Sequence, residues 1–102
     1  MQKVNFILPK NFNSGDKIPV NLIKSIESDI IAVSGGLTKY NATGFWKNDS
    51  GKLFADRNIL YFTVISSQHE LTEIIRILTI AKHTLQQESI YLEVTDSQVS
   101  FI

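Results

Sequence analysis

Four of the five glycines of this chain fall within one stretch, Gly35 to Asp56, GGLTKYNATGFWKNDSGKLFAD. Glycine reaches positive φ, or lets another backbone come close, without steric cost. Asn48-Asp49-Ser50-Gly51 is a strong turn signal inside it. The stretch therefore predicts a β-hairpin. Leu37–Tyr40 and Phe45–Lys47 read as an outgoing strand interrupted by a bulge near Asn41–Gly44. Lys52–Ile65 reads as the return strand, and its run ILYFTVI suits a central strand covered on at least one face. Tyr40, Phe45, Phe54 and the only tryptophan, Trp46, lie on this hairpin, which makes it the candidate functional surface.

The remaining elements follow from periodicity. Val4–Leu8 is a β-prone run closed by Pro9, and a loop rich in Asn, Ser and Gly reaches Lys17. Leu22, Ile23, Ile26 and Ile30 recur at helical spacing over Pro19–Ile31, with Pro19 tolerated in the first turn and Gly35–Gly36 ending the helix. Ser67-Gln68-His69-Glu70 has the form of a capping box, in which serine and glutamate each satisfy a free backbone N–H. Leu71, Ile74, Ile75, Leu78, Ala81 and Leu85 then form one apolar stripe. Ser89–Val94 and Gln98–Ile102 read as strands separated by a turn at Thr95–Ser97. The order strand, helix, strand, strand, helix, strand is that of the ferredoxin-like α+β sandwich. The expectation is a single domain over residues 1–102. It has a four-stranded antiparallel sheet, two helices on one face and a short C-terminal strand extension. The other sheet face is left open for solvent, a second subunit or a ligand.

Charge and composition narrow the function. Ten Lys and Arg balance ten Asp and Glu, so the excess of cations that drives sequence-independent nucleic-acid binding is missing. Trp46, Lys47, Lys52, Phe54 and Arg57 do mix cations with aromatics, as RNA-stacking sheets do. LYFTVIS, however, lacks the glycine and basic residue of the corresponding RNA-recognition pattern, so nucleic acid is not the expected partner. The absence of cysteine excludes disulfides, thiolate nucleophiles, zinc–thiolate sites and iron–sulfur clusters. The first apolar run is too short for a signal-peptide core or a membrane span, which predicts a cytoplasmic protein with no membrane partner.

No catalytic signature emerges. His69 and His83 sit about 21 Å apart along one helix, too far to share a metal. The patterns HExxH, GxxxxGK[ST] and GxSxG do not occur. No metal and no cofactor are expected. Gly35–Gly36 can present backbone N–H groups to an anion, but a strand follows where a phosphate loop needs a helix, so a helix C-cap is the stronger reading. Asp49, Asp56, Glu88 and Glu93 are the carboxylates near the hairpin and the last strand. On the second helix Ile77 and Ile80 lie beside the stripe, Ile80 by about 140°. With the apolar end Phe101–Ile102 they suggest a subunit contact and a homodimer.

Gly36-Leu37-Thr38, Gly44-Phe45-Trp46, Gly51, Asp56 and Gln87-Glu88-Ser89 together resemble the pattern of a family of small bacterial domains with no established activity, some of them described as lipoproteins. The acidic position of that pattern is Glu more often than Asp. The resemblance implies a shared site at Thr38, Trp46, Asp56, Gln87 and Glu88, to which the cation Arg57 is added as a ligand-binding candidate. The leading expectation is a non-enzymatic binding or regulatory module, homo-oligomeric, taking a small molecule or a protein. The alternative is a small enzyme at a subunit interface, with Asp56 or Glu88 as acid/base and Arg57 or Lys47 holding an anionic substrate. A third is an assembly component that pairs through its sheet.

Overall fold

β1 (Gln2–Pro9), α1 (Val20–Ser34), β2 (Thr38–Lys47), β3 (Leu53–Ile65), α2 (Gln68–Thr84) and β4 (Leu92–Asp96) follow one another in the computed structural model, which describes all 102 residues. The strands form one antiparallel sheet in the order β2-β3-β1-β4, the ferredoxin-like arrangement. Val4 pairs with Thr63 and Phe6 with Tyr61. Side chains alternate between faces along a strand. One face of the central pair is therefore Val4, Phe6, Leu8, Tyr61, Thr63 and Ile65, all buried. Ile23, Ile26 and Ile30 of α1 and Leu71, Ile74, Ile77, Leu78 and Ala81 of α2 complete the same core. Each fully buried side chain of this size contributes about 1.5–3 kcal/mol. Both helices thus cover one face of the sheet and leave the other without a layer.

Several local expectations need correction. β2 and β3 pair without interruption from Thr38↔Phe62 to Lys47↔Leu53, so there is no bulge at Asn41–Gly44. Glycine at position 44 answers a close approach instead, since a Cβ there would stand 3.0 Å from the Asn58 side-chain nitrogen. The last strand begins at Leu92 and runs through Thr95 and Asp96, the residues read as a turn. Residues 98–102 form no strand, and the C-terminal extension is irregular chain. On α2 the buried stripe includes Ile77 and not Ile75, which is 42% exposed, so the covered face is turned away from Ile75. Ile80 is exposed, as its angle from the stripe requires.

The helix ends are set by local chemistry. Gly35 closes α1 at φ 85°, its N–H donating to the Ile31 carbonyl. The Ser67 hydroxyl accepts from the Glu70 N–H, which is one half of the capping box. The Glu70 carboxylate accepts from the hydroxyls of Ser66 and Ser67 and makes no return bond to the Ser67 N–H. α2 ends in a Schellman motif: Gln87 N–H donates to Lys82 O and Gln86 N–H to His83 O. Gln86 therefore sits at φ 55°, the only non-glycine residue with positive φ.

One polar triad ties the helical layer to the sheet. The Tyr61 hydroxyl donates to Glu27 Oε2 at 2.6 Å, and Lys39 Nζ donates to the same oxygen at 2.8 Å. The Tyr61 ring stacks on Phe6 at 4.7 Å. Burial, with the Glu27 carboxylate beside it, raises the Tyr61 hydroxyl far above the ordinary tyrosine range. In the unfolded chain Tyr61 ionises near pH 10, so above that pH the folded state holds the extra proton. Tyr61 therefore contributes stability fully below about pH 10 and loses it progressively as pH rises. Tyr61→Phe is expected to cost about 1 kcal/mol at neutral pH and to flatten the alkaline loss, measured by urea denaturation from pH 8 to 11. Gln86→Gly, which relieves the left-handed residue, is expected to stabilise the fold by about 1 kcal/mol in the same assay.

Candidate functional site

The β2–β3 hairpin is longer than its neighbours and reaches past the end of the helical layer as an arm. Its tip is held by Asn48, whose side-chain oxygen accepts from Ser50 N–H, Ser50 Oγ–H and Lys52 N–H. Gly51 at φ 84° closes the turn. Trp46 lies directly opposite Phe54 in the register, and the rings stack at 4.4 Å with 13° between planes. Asp56 is two residues further along β3 on the same face, within diagonal reach. Its carboxylate accepts the indole N–H at 2.7 Å. Lys52 adds a cation 5.1 Å from the Phe54 ring centre. Trp46 remains half exposed although its rotation is fixed on two sides.

This stack forms one wall of a cleft of about 710 Å³. The opposite walls are the Asn11–Gly15 part of the loop after β1 and the segment Gln87–Ser89 that leaves α2. Asn13 and Gln87 fasten these two walls together. Asn13 Nδ2 donates to Gln86 O at 3.3 Å, and Gln87 Nε2 donates to Leu85 O at 3.0 Å and more weakly to Asn13 Oδ1 at 3.5 Å. Gln86, in its left-handed conformation, turns the chain so that Glu88 reaches the rim. Glu88 takes part in neither ion pair of the molecule, and Arg57 is equally free of a carboxylate partner.

Five of the six ligand-site candidates thus line one cleft: Trp46, Asp56, Arg57, Gln87 and Glu88. Thr38 does not join them. It stands eight residues up β2 from Trp46, about 27 Å away, in a separate recess with Leu37, Phe62, Val64 and Phe101. Lys47 is not a cleft residue either; it follows Trp46 on the strand and takes the opposite face. Asp56 is engaged by the indole, which makes it a positioning group, while Glu88 is the unengaged carboxylate. Asn11, Phe12 and Asn13 were not signalled by the sequence. The contact of Asn13 with Gln86 and Gln87 spans more than seventy residues of chain, and only the loop's turn-forming composition marks these three residues.

The arrangement offers a stacking surface, a carboxylate, a guanidinium and amide groups on one cleft, the equipment for a flat polar small molecule. No family model matches the chain, and no curated protein does. Solved structures do match in fold. A phage SAM lyase in complex with S-methyl-5′-thioadenosine is 12% identical, with TM-score 0.67 over 93% of this chain and 80% of that one. The periplasmic divalent cation tolerance protein CutA from Archaeoglobus fulgidus is 9% identical, with TM-score 0.68 over 99% of this chain and 88% of that one. The PII-like protein CutA from Nostoc sp. is 16% identical, with TM-score 0.55 over 95% and 81%. At these identities the likeness is one of fold.

If Asp56 fixes the indole, Asp56→Ala will lower the fluorescence anisotropy of Trp46, the only tryptophan, and cost no more than about 1 kcal/mol. Unchanged anisotropy would mean that the Phe54 stack alone holds the ring.

Proposed function

We propose that this chain is a small-ligand-binding module that works as a homo-oligomer in the cytoplasm, and that its ligand carries a flat nucleoside-like group. The observation that carries the reading is the meeting of Trp46, Asp56, Arg57, Gln87 and Glu88, from three separate stretches of sequence, on a single cleft of ligand size. A purine stacked on an aromatic side chain gains about 1–3 kcal/mol, and the Trp46–Phe54 pair is already ordered to receive it. The nucleoside thioether bound to the phage lyase of the same fold supports this ligand class. The resemblance to the small bacterial domain family supports the same place, since five residues of that pattern, Trp46, Asp56, Gln87, Glu88 and Ser89, line the cleft.

Self-association is supported by the sheet. β2 is an edge strand of ten residues without proline or bulge, and it carries exposed Tyr40 and Phe45. Such an edge presents free backbone donors and acceptors to a partner strand. Ile7, Leu60, Phe62 and Val64 give the reverse of the sheet a partly exposed apolar patch beside the polar Lys3, Asn5 and Glu93. A second copy of this chain is the occupant we assign to that surface, with the homodimer as the smallest form.

A second reading, a small enzyme with its acid/base group at a subunit interface, rests on Glu88, the one carboxylate on the cleft without a partner. The two readings separate by experiment. Calorimetric titration with S-methyl-5′-thioadenosine is expected to show saturable binding that Trp46→Ala weakens at least tenfold and Glu88→Gln weakens modestly. The enzymatic reading requires that SAM incubated with the protein be consumed and that Glu88→Gln stop this. Absence of saturable binding would refute the nucleoside-like ligand.

A further inference from the structure

A second recess, of about 360 Å³, opens on the helix side of the sheet, and its rim is built from Lys10, Lys17, Lys39 and Arg57. No carboxylate lines it. Its floor is apolar: Ile18, Ile23 and Ile59. In a chain with ten cations and ten anions, four cations converging on one depression is a pronounced local asymmetry. Only Lys39 is paired, to Glu27, and that carboxylate is shared with the Tyr61 hydroxyl. Lys10, Lys17 and Arg57 belong to no ion pair.

The positions of these cations are fixed by backbone. Lys10 N–H donates to Arg57 O, and Ile18 N–H donates to Lys10 O. Asn11 and Lys17 form an antiparallel bridge, and Asn11 Nδ2 donates to Gly15 O across the small loop they enclose. The loop after β1 is thereby folded on itself and tied to β3, with Lys10 and Lys17 held side by side next to Arg57. Like charges so placed repel, and an apolar wall with low polarisability strengthens their field. An anion in the recess relieves the repulsion. A guanidinium beside two or three ammonium groups suits the tetrahedral, multiply charged oxygen set of a phosphoryl group.

We propose that this recess is an anion site for the phosphoryl group of a small organic phosphate. It is separate from the aromatic cleft and shares Arg57 and Asn11 with it as a common wall. It stands whether or not the cleft takes a nucleoside-like ligand, because none of its cations other than Arg57 touches that cleft.

The test is calorimetric titration of the full chain with pyrophosphate at low ionic strength. One saturable site per chain is expected. The double variant Lys10→Gln/Lys17→Gln should weaken it at least tenfold, and raising salt should weaken it as screening requires. Lys82→Gln, which removes a cation of the last turn of α2 that lines neither the recess nor the cleft, should leave it unchanged, as should Trp46→Ala. The circular dichroism spectrum of the double variant checks that the loop change has not unfolded the sheet; Arg57→Gln, on the long β3 strand, gives the same prediction without altering the loop. No saturable binding, or equal loss in Lys82→Gln, overturns the proposal. Loss in Trp46→Ala as large as in the double variant also overturns it, by placing the anion in the cleft instead.

Discussion

The pairing of β1 with β3 decides what the rest of the molecule can do. Because side chains alternate strictly along a strand, the register that sets Phe6 against Tyr61 sends one set of residues to the helices and the other to the reverse of the sheet. The same register runs on through the β2–β3 arm without a bulge, so the division holds to the tip. Trp46, Phe54 and Asp56 fall on the open face, while Lys39 and Arg57 fall on the helix face. A one-residue slip of β3 would turn Arg57 to the open face and Phe54 and Asp56 to the helix face together. The two candidate sites are thus two consequences of one pairing.

The core and the sites meet at few points, each with a structural task. Tyr61 belongs to the core through Phe6 and to the helix–sheet junction through Glu27. Lys39, its companion on Glu27, reaches the rim of the basic recess. Gln86 accepts an unfavourable backbone conformation where α2 ends, and the chain it redirects supplies Gln87 and Glu88 to the cleft. Strain of this kind is held in place by its surroundings, here by the Asn13 contacts to the same turn. The arm, by contrast, is organised by contacts within itself: the Asn48 turn, the Trp46–Phe54 stack and the Asp56 bond.

What was legible in the sequence is what local chemistry dictates. The element order, the Ser67 cap, the Gly35 stop and the Asn48–Gly51 turn depend on residues close together in the chain. The choice between Ile75 and Ile77 does not, because it follows from which side of α2 the fold covers. Gly44 was visible as a special position, but its reason, the Asn58 amide across the hairpin, is a cross-strand fact. The sequence pattern grouped Thr38 with Trp46 because spacing along a chain carries no record that one unbroken strand separates them. The basic recess left no trace at all, since Lys10, Lys17, Lys39 and Arg57 come from a loop and two strands and are gathered only by the fold.

The sheet is covered by helices on one side only, and its ten-residue edge strand β2 carries exposed Tyr40 and Phe45. We assign the open face and the β2 edge to a second copy of the chain. Light scattering coupled to size-exclusion chromatography, over the micromolar range, measures this most directly. The expected mass is a whole multiple of the chain mass, at two or above, and falls when Tyr40 and Phe45 are replaced by Lys. A mass equal to one chain at every concentration would contradict the assignment.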